Sequence, residues 1–551
     1  MKPLSLNRVT VKGELRTRLL KNFSRMHDKI YRAGIAGLPP YCCIGWPGDW
    51  EGRAMLALTL DSEALKSEAA TLEPLINWIY EIMNDEGYRS EPNDKLNLND
   101  INEQMHSAQN WMLRAFMETY RITGEEKYLD TAEQMIKALY LPVTEHLKNY
   151  PRTKEDRVAA SDYAVIGHTS GRFKEWRLSS DIGCIFMSFD ALGQAWEMIN
   201  KEPLKTQIGE YIDALLDAFR SVDYVGSGLQ THATLTCMRG LMRVYNIKKD
   251  PSLLATIVKY FDDYEKYGMT VNYENRNGFR IPGHTEPCGI VDSYMLACQF
   301  WEVTGKRHYL DMSHKIWWNA LMRSQRDNGG MGCDTTVEDG RVKVYDAFYE
   351  AFHCCTMRGA EGLGYPVRHA VYEDESSICI PFYFDFDAKL SGGEEISVRS
   401  LYPEEGKISL TVNKGTGNPI LTKLYIPEWA ENVRITKNGI NQEFAMVDEC
   451  FAAFDGNYTA GDIIELSFVQ PLRKVPCHRY GHADKGMYTL EYGTLLLGTE
   501  IEITEKLDTA QFEYLGNGRF RAYEREFTPL HMCYFLTKEE VMAKSWQVLF
   551  N

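Results

Sequence analysis

The sequence predicts a mainly α protein with an all-β C-terminal part, an (α/α)6 barrel followed by a β-sandwich. Three observations predict it. Up to about residue 370, apolar residues recur at three-and-four spacing. One segment, Tyr120-Arg-Ile-Thr-Gly-Glu-Glu-Lys-Tyr-Leu-Asp130, returns as Trp301-Glu-Val-Thr-Gly-Lys-Arg-His-Tyr-Leu-Asp311. From about Val371 the hydrophobic period changes to two.

The elements follow in order. Val9 to Glu14 reads as a short strand that joins the later sheet, so residues 1–13 are set apart within a helical domain of residues 1–370. Helical spacing then covers Leu15–Tyr31, Gln109–Thr123, Lys127–Tyr140, Ile185–Ile199, Thr206–Phe219, Thr231–Tyr245, Leu253–Tyr267, Cys288–Val303 and Tyr309–Arg323. Each copy of the repeat is a helix end, a capping glycine and a new helix opening at Tyr-Leu-Asp. Degenerate copies follow Trp196 and Tyr245. Repeated helical hairpins bury their apolar faces on one another, as an open solenoid or a closed toroid. The length and the number of hairpins favour the toroid. Residues 371–551 form the β domain, with strands expected at Ile378, Glu395, Lys407, Leu421, Asp462 and Met487, and a last one at Trp546–Phe550.

The net charge of −16 excludes a nucleic-acid binder, which needs a basic surface. No apolar run is long enough to span a membrane. Thirteen cysteines without a small-domain disulfide spacing read as reduced and buried. The opening residues lack the apolar core of a secretory signal, so a cytoplasmic or periplasmic home is expected. Aromatic content of 12%, with 11 Trp and 32 Tyr, suits a carbohydrate cleft as well as a core, since flat rings pack on sugar faces. An oligosaccharide or glycan is therefore the expected partner, with oligomeric state left open.

Glu286-Pro-Cys288 and His353-Cys-Cys355 carry the chemistry. They supply one carboxylate and three thiols, a set that suits zinc. Both segments lead into helices, and helix mouths at one rim of a toroid surround its cavity. The alternative is four unrelated residues, because buried free cysteines are common and no CxxC spacing is present.

The two segments resemble the β-L-arabinofuranosidase family, family 127 of the glycoside hydrolases and its relatives. The resemblance runs through Glu286-Pro-Cys288 and the helix after it, His353-Cys-Cys-Thr-Met-Arg-Gly359, and the helix Tyr309–Gln325. Upstream it includes Trp46-Pro-Gly-Asp-Trp-Glu-Gly-Arg53 and Thr231-His-Ala-Thr-Leu235; downstream, Ala460–Leu466 and Gly486–Leu495. It implies zinc held by Glu286, Cys288, Cys354 and Cys355, with Cys354 as nucleophile. The implied reaction is retaining hydrolysis of a terminal β-L-arabinofuranoside of plant cell-wall glycans through a thioglycosyl intermediate. Thr356 stands where many members have Pro, and the surroundings of Glu274 depart from the family pattern, which leaves room for a related pentofuranose such as those of pectin.

The general acid is expected at Glu274, with Glu350 as the fallback. His232, at a helix mouth, is expected to contact substrate hydroxyls, and Asp292 to hydrogen-bond substrate. His353 and His168 are further candidates near the pocket. Trp46, Asp49 and Trp50 lie in a Pro/Gly-rich loop that can line the pocket or merely close the barrel; Trp176 is a weaker candidate of the same kind. Trp317-Trp318 reads as core. Two rivals remain: a carboxylate-dependent hydrolase or sugar epimerase on the same barrel with inert cysteines, and a non-enzymatic glycan-binding protein with a structural zinc.

Overall fold

The computed structural model describes residues 1–32, 46–90, 95–157, 169–417, 419–483 and 485–551. The N-terminal part is built from these longer α-helices. They are α1 (Gly13–Met26), α2 (Asp49–Leu65), α3 (Leu72–Ile82), α4 (Glu103–Thr123), α5 (Glu126–Met135), α6 (Ser188–Met198), α7 (Leu204–Ser221), α8 (Thr231–Lys248), α9 (Pro251–Tyr267), α10 (Pro287–Thr304), α11 (Arg307–Ile316) and α12 (Cys355–Arg368). Helices α2, α4, α6, α8, α10 and α12 each pack on the next, and α12 packs back on α2. That closure makes a toroid rather than a solenoid. Helices α3, α5, α7, α9 and α11 form the outer layer, and α1 covers the α12–α2 seam. Alternate helices of consecutive hairpins run the same way, so the six inner helices open at one rim.

The burial pattern explains who is inside. The inner helix α4 is buried along almost its whole length, whereas α5, α7 and α9 bury one stripe. The repeat is visible in three dimensions. Gly124 and Gly305 cap α4 and α10 at φ +70° and +68°, a left-handed conformation that glycine adopts without Cβ strain. The outer helices that follow both continue as π-turns, at Ile136–Tyr140 and Trp317–Leu321. Gly52 lets α2 lie directly on α4: a Cβ there would stand 2.3 Å from the Met112 nitrogen.

Helices α2 and α3 were not marked by hydrophobic spacing, and neither was a small sheet in which Trp176–Ser179 pairs with Thr169–Phe173 and, in parallel, with Ile101–Asn102. Trp176 is fully buried there and donates its Nε1–H to the His146 carbonyl, so it is a core residue and not a sugar platform.

The C-terminal part is β apart from short helical turns, the longest α-helix there being Lys538–Met542. A six-stranded and a seven-stranded sheet are built from residues 372–469 and the chain's N-terminus: Val9–Val11 pairs antiparallel with Phe386–Ala388, and Lys2–Pro3 with Tyr372–Glu373. A second six-stranded sheet spans Leu472–Pro529. Trp546–Gln547 pairs with Arg341–Val342 of the helical half, so the chain's end returns to the rim region of the barrel. No helix among the described residues is long and apolar enough to cross a membrane. The eleven described cysteines are all free.

Asp61, in the middle of α2, is fully buried and neither carboxylate oxygen has a hydrogen-bond partner. Burial alone pushes its carboxyl well above the usual range. Between the unfolded value of about 3.9 and the raised folded value, the native state binds a proton that the unfolded state has released, so stability falls as pH rises. Asp61→Asn is expected to gain stability relative to the parent progressively from about pH 4 to pH 8, as read by urea denaturation at each pH. A difference that is flat with pH would show that Asp61 is compensated.

Candidate active site

The site lies at the rim where the inner helices begin. Glu286 is the N-cap residue of α10, in extended backbone (φ −132°), with Pro287 at the first helical position. Cys288 follows one residue later. Cys354 is the N-cap of α12, and Cys355 opens that helix. The sharp backbone of Cys354 (φ −149°, ψ −62°) lets two adjacent thiols turn toward one centre. Their turn is pinned from below: Glu350 takes hydrogen bonds from Arg25, Asn328 and Thr356, while the Thr356 hydroxyl accepts from the Met331 N–H.

One ligand atom from each of Glu286, Cys288, Cys354 and Cys355 lies within 4.8 Å of all the others. The Cys355 sulfur is 3.5 Å from that of Cys288 and 3.4 Å from that of Cys354. Tetrahedral zinc with Zn–S of 2.3 Å sets sulfurs roughly 3.8 Å apart, so the cluster fits such a cation with a small expansion. The Glu286 carboxylate is prepared for it. His232 Nδ1 is 3.0 Å from one oxygen, and the Gln230 amide donates to the other at 3.3 Å. Asn275 fixes the backbone by accepting from the Glu286 N–H and donating to Thr231 of α8. Outer contacts of this kind orient metal-binding side chains.

The charge states tell the same story. Burial pushes the Cys288 and Cys355 thiols up. Hydrogen bonds from Cys288 and Cys355 draw Cys354 down to about 6, against burial and Glu286. Three thiols this close share one negative charge by themselves; a divalent cation would let all three ionise. Burial raises the Glu286 carboxyl, but His232 beside it more than reverses this and holds it low. Cys354 is the half-buried member of the three, with Cys288 and Cys355 enclosed.

Behind the cluster the barrel axis is filled with charge. Asp292 accepts from Arg239 at 2.6 Å, Arg358 at 2.5 Å and Thr236 at 2.5 Å. Glu361 joins Arg239 and Arg114, and Asp190 joins Arg114 and Arg243. Arg53 of α2 stacks 3.8 Å over Trp111 and places Nη1 3.6 Å from the Cys288 sulfur.

The residues named from the sequence fall into three groups. Glu286, Cys288, Cys354 and Cys355 come together. Asp49 and His353 stand beside them, partly exposed; Asp49 is paired with Arg53 at 2.7 Å, and His353 packs edge-on against Phe352. Trp46 is half-buried on the same loop, its carbonyl accepting from the Asp49 N–H. The third group stands behind the site. His232 and Asp292 are enclosed, His232 turned to Glu286 and Asp292 to the arginines. Trp50 is 2% exposed, parallel to Tyr31 and edge-on to Trp78, in the core. Glu350 is committed to the turn below Cys354. Glu274 is sealed from solvent, its oxygens accept no hydrogen bond, and burial with Asp334 nearby pushes its carboxyl well above the usual range. Trp317 and Trp318 are core. His168 lies outside the described residues. Arg53, Trp111 and the axial arginines were not singled out by the sequence; a buried arginine leaves no mark in a hydrophobic period.

A sequence model of the β-L-arabinofuranosidase GH127 catalytic domain matches residues 86–365, and one of the GH127 middle domain matches residues 378–470. A search of curated proteins gave no match. Among solved structures, a GH127 β-arabinofuranosidase aligns over 100% of this chain and 97% of its own, at 13% identity and a TM-score of 0.70. A GH127 β-L-arabinofuranosidase from Geobacillus stearothermophilus T6 aligns over 98% of this chain and 99% of its own, at 13% identity and a TM-score of 0.66. At that identity the structural likeness establishes the fold.

Removing one member of the axial network leaves buried charges unpaired. Arg239→Ala is expected to cost about 3–5 kcal/mol in urea denaturation, because Asp292 and Glu361 both lose a partner. A cost below about 1 kcal/mol would show that these charges do not hold the ring together.

Proposed function

The chain belongs to glycoside hydrolase family 127, and from that premise we propose that it is a retaining exo-glycosidase that releases a terminal β-L-arabinofuranosyl or closely related pentofuranosyl residue, with Cys354 as the nucleophile. The observation that carries this reading is that one thiol of the cluster, Cys354, is both drawn toward ionisation and open to the rim, while its two neighbours are enclosed. The N-terminal end of α12 adds its partial positive charge.

Glu286, Cys288, Cys354 and Cys355 would hold a zinc ion. Bound there, zinc would keep the thiols ionised at neutral pH and lower their basicity. The chain's own residues do the rest. His232 and Gln230 hold Glu286, and Arg53 holds charge against Cys288. The Cys354 sulfur forms a bond to the anomeric carbon as the glycosidic bond breaks, and water then displaces the sulfur with net retention. Asp49, Trp46 and His353 would meet the sugar. The substrate is a glycan chain end, of plant cell-wall origin in this reading.

Elemental mass spectrometry of the purified protein is expected to find about one zinc per chain, lost in Cys288→Ser. Cys354→Ser is expected to abolish hydrolysis of 4-nitrophenyl β-L-arabinofuranoside, and iodoacetamide to inactivate the parent in step with alkylation of Cys354. A folded, metal-free parent, or full activity in Cys354→Ser, would overturn the thiolate reading and favour a carboxylate enzyme on the same barrel.

A further inference from the structure

A terminal sugar is cut from a larger glycan, so the part of the substrate beyond the scissile bond also needs a surface to rest on. An arc of rings borders the cysteine cluster. His353, the neighbour of Cys354 in the chain, has its ring 5.6 Å from that of Phe348. Phe348 lies 5.8 Å from Tyr345 and 5.6 Å from His284. His284 and Tyr345 stack at 4.9 Å, with 13° between their planes. His284 in turn stands two residues before Glu286. The arc therefore starts beside one member of the cluster and ends beside another, and the ligand atoms of Cys354 and Glu286 lie within 4.8 Å of each other.

The arc stands on a fixed frame, the segment of residues 331–335. On one side the Thr285 N–H donates to the Asp334 carbonyl at 2.8 Å, and the Asp334 N–H to the Thr285 hydroxyl at 2.9 Å. On the other side the Tyr345 N–H donates to the Cys333 carbonyl at 3.0 Å, the Cys333 N–H to the Phe348 carbonyl at 2.9 Å, and the Ala351 N–H to the Met331 carbonyl at 2.8 Å. Gly332 permits this close approach, since a Cβ there would run into the Tyr349 carbonyl oxygen. Arg323 and Arg326 both donate to Asp334. Met331, Cys333 and Asp334 are buried, whereas His284, Tyr345, Phe348 and His353 stay half-buried. Rings needed only to pack this loop would be enclosed with the frame. Rings held rigidly and left open beside a reactive thiol are suited to a ligand.

We propose that His284, Tyr345 and Phe348, with His353 at the inner end, form the leaving-group subsite, a wall that takes the flat C–H face of the neutral sugar ring next to the scissile bond. The proposal rests on the glycosidase reading above. Flat rings pack on the apolar face of a sugar and lose little freedom in doing so when the frame already holds them. Asp346, exposed between Tyr345 and Phe348, disfavours an acidic sugar there. Contacts with the leaving group that persist in the transition state raise kcat/KM.

The test compares two substrates of the zinc-loaded enzyme that share the pentofuranosyl group: the methyl glycoside, whose aglycone is too short to reach the wall, and a disaccharide with a neutral sugar in its place. The parent is expected to prefer the disaccharide in kcat/KM by about tenfold or more. Tyr345→Ala and Phe348→Ala are each expected to cut that preference about three- to tenfold, and Tyr345→Phe to keep it. The preference is a ratio, so a variant that merely folds less well lowers both rates alike and leaves it unchanged. A parent without the preference, or a preference that survives both alanine changes, would overturn the wall. Calorimetric titration of the disaccharide into Cys354→Ser reads binding without turnover. Adding Phe348→Ala is expected to weaken it about three- to tenfold, and an equal affinity would count against the subsite. Failure of the thiolate reading has a separate signature: Cys354→Ser consumes the disaccharide, and the ratio still reads the wall. A chain that neither binds nor hydrolyses either glycoside would overturn the glycosidase reading, and the wall with it.

Discussion

The structure depends on one constraint: the axis of the helical ring is charged and buried. Asp190, Asp292 and Glu361 are set among Arg114, Arg239, Arg243 and Arg358, drawn from α4, α6, α8, α10 and α12. Each of these groups would be costly to bury alone, and each is tolerable only with its partners in place. A network that spans five inner helices therefore penalises any ring with a helix missing or rotated. It also fills the barrel behind the cysteine cluster with buried charge.

From that constraint the chemistry of the rim follows. Inner helices that share a direction bring their N-termini together, and with them the unpaired N–H groups and partial positive charge that favour anions. Glu286, Cys288, Cys354 and Cys355 collect at two of these ends. His232 connects the layers: one ring nitrogen is turned to Glu286 and the other to Asp292, 3.5 Å away. The ligand set is thereby coupled to the axial charges through a single enclosed imidazole. From the sequence the same residue is expected to contact substrate hydroxyls, and the fold adds its bridge between Glu286 and Asp292.

This contrast runs through what was legible. Helix periodicity and the Tyr-Leu-Asp repeat carried the toroid, since closure of six hairpins is the way their apolar faces are buried. The change of period near Val371 carried the sheets. Glu286, Cys288, Cys354 and Cys355 stood out because a Glu-x-Cys and a Cys-Cys at helix starts are rare local patterns. Direction was harder to read. Trp50 and Trp176 have the composition of sugar platforms, yet Trp50 packs against Tyr31 and Trp78, and Trp176 donates into the core. Asp292, on an inner helix, points at arginines that lie far away in sequence, at positions 239 and 358. Long-range ion pairs have no period and no spacing, so the axial network could be read only from the fold.

The turn at Asp181 is a further case of a position that only the closed ring defines. It belongs to no helix and no motif; the strand before it, Trp176–Ser179, is recruited to the barrel by pairing with Ile101–Asn102, just before α4. Glu103, the next residue, accepts the Ser179 N–H and so holds that strand's end beside the inner rim. Gln230 then couples the turn to Glu286. The position of Asp181 is therefore set by three segments, near residues 102, 179 and 230, that meet only after the ring has closed. A residue placed in this way is held by backbone contacts on each side, at 3.0 Å to Ser179 and 3.1 Å to Cys184, and no local sequence pattern announces it.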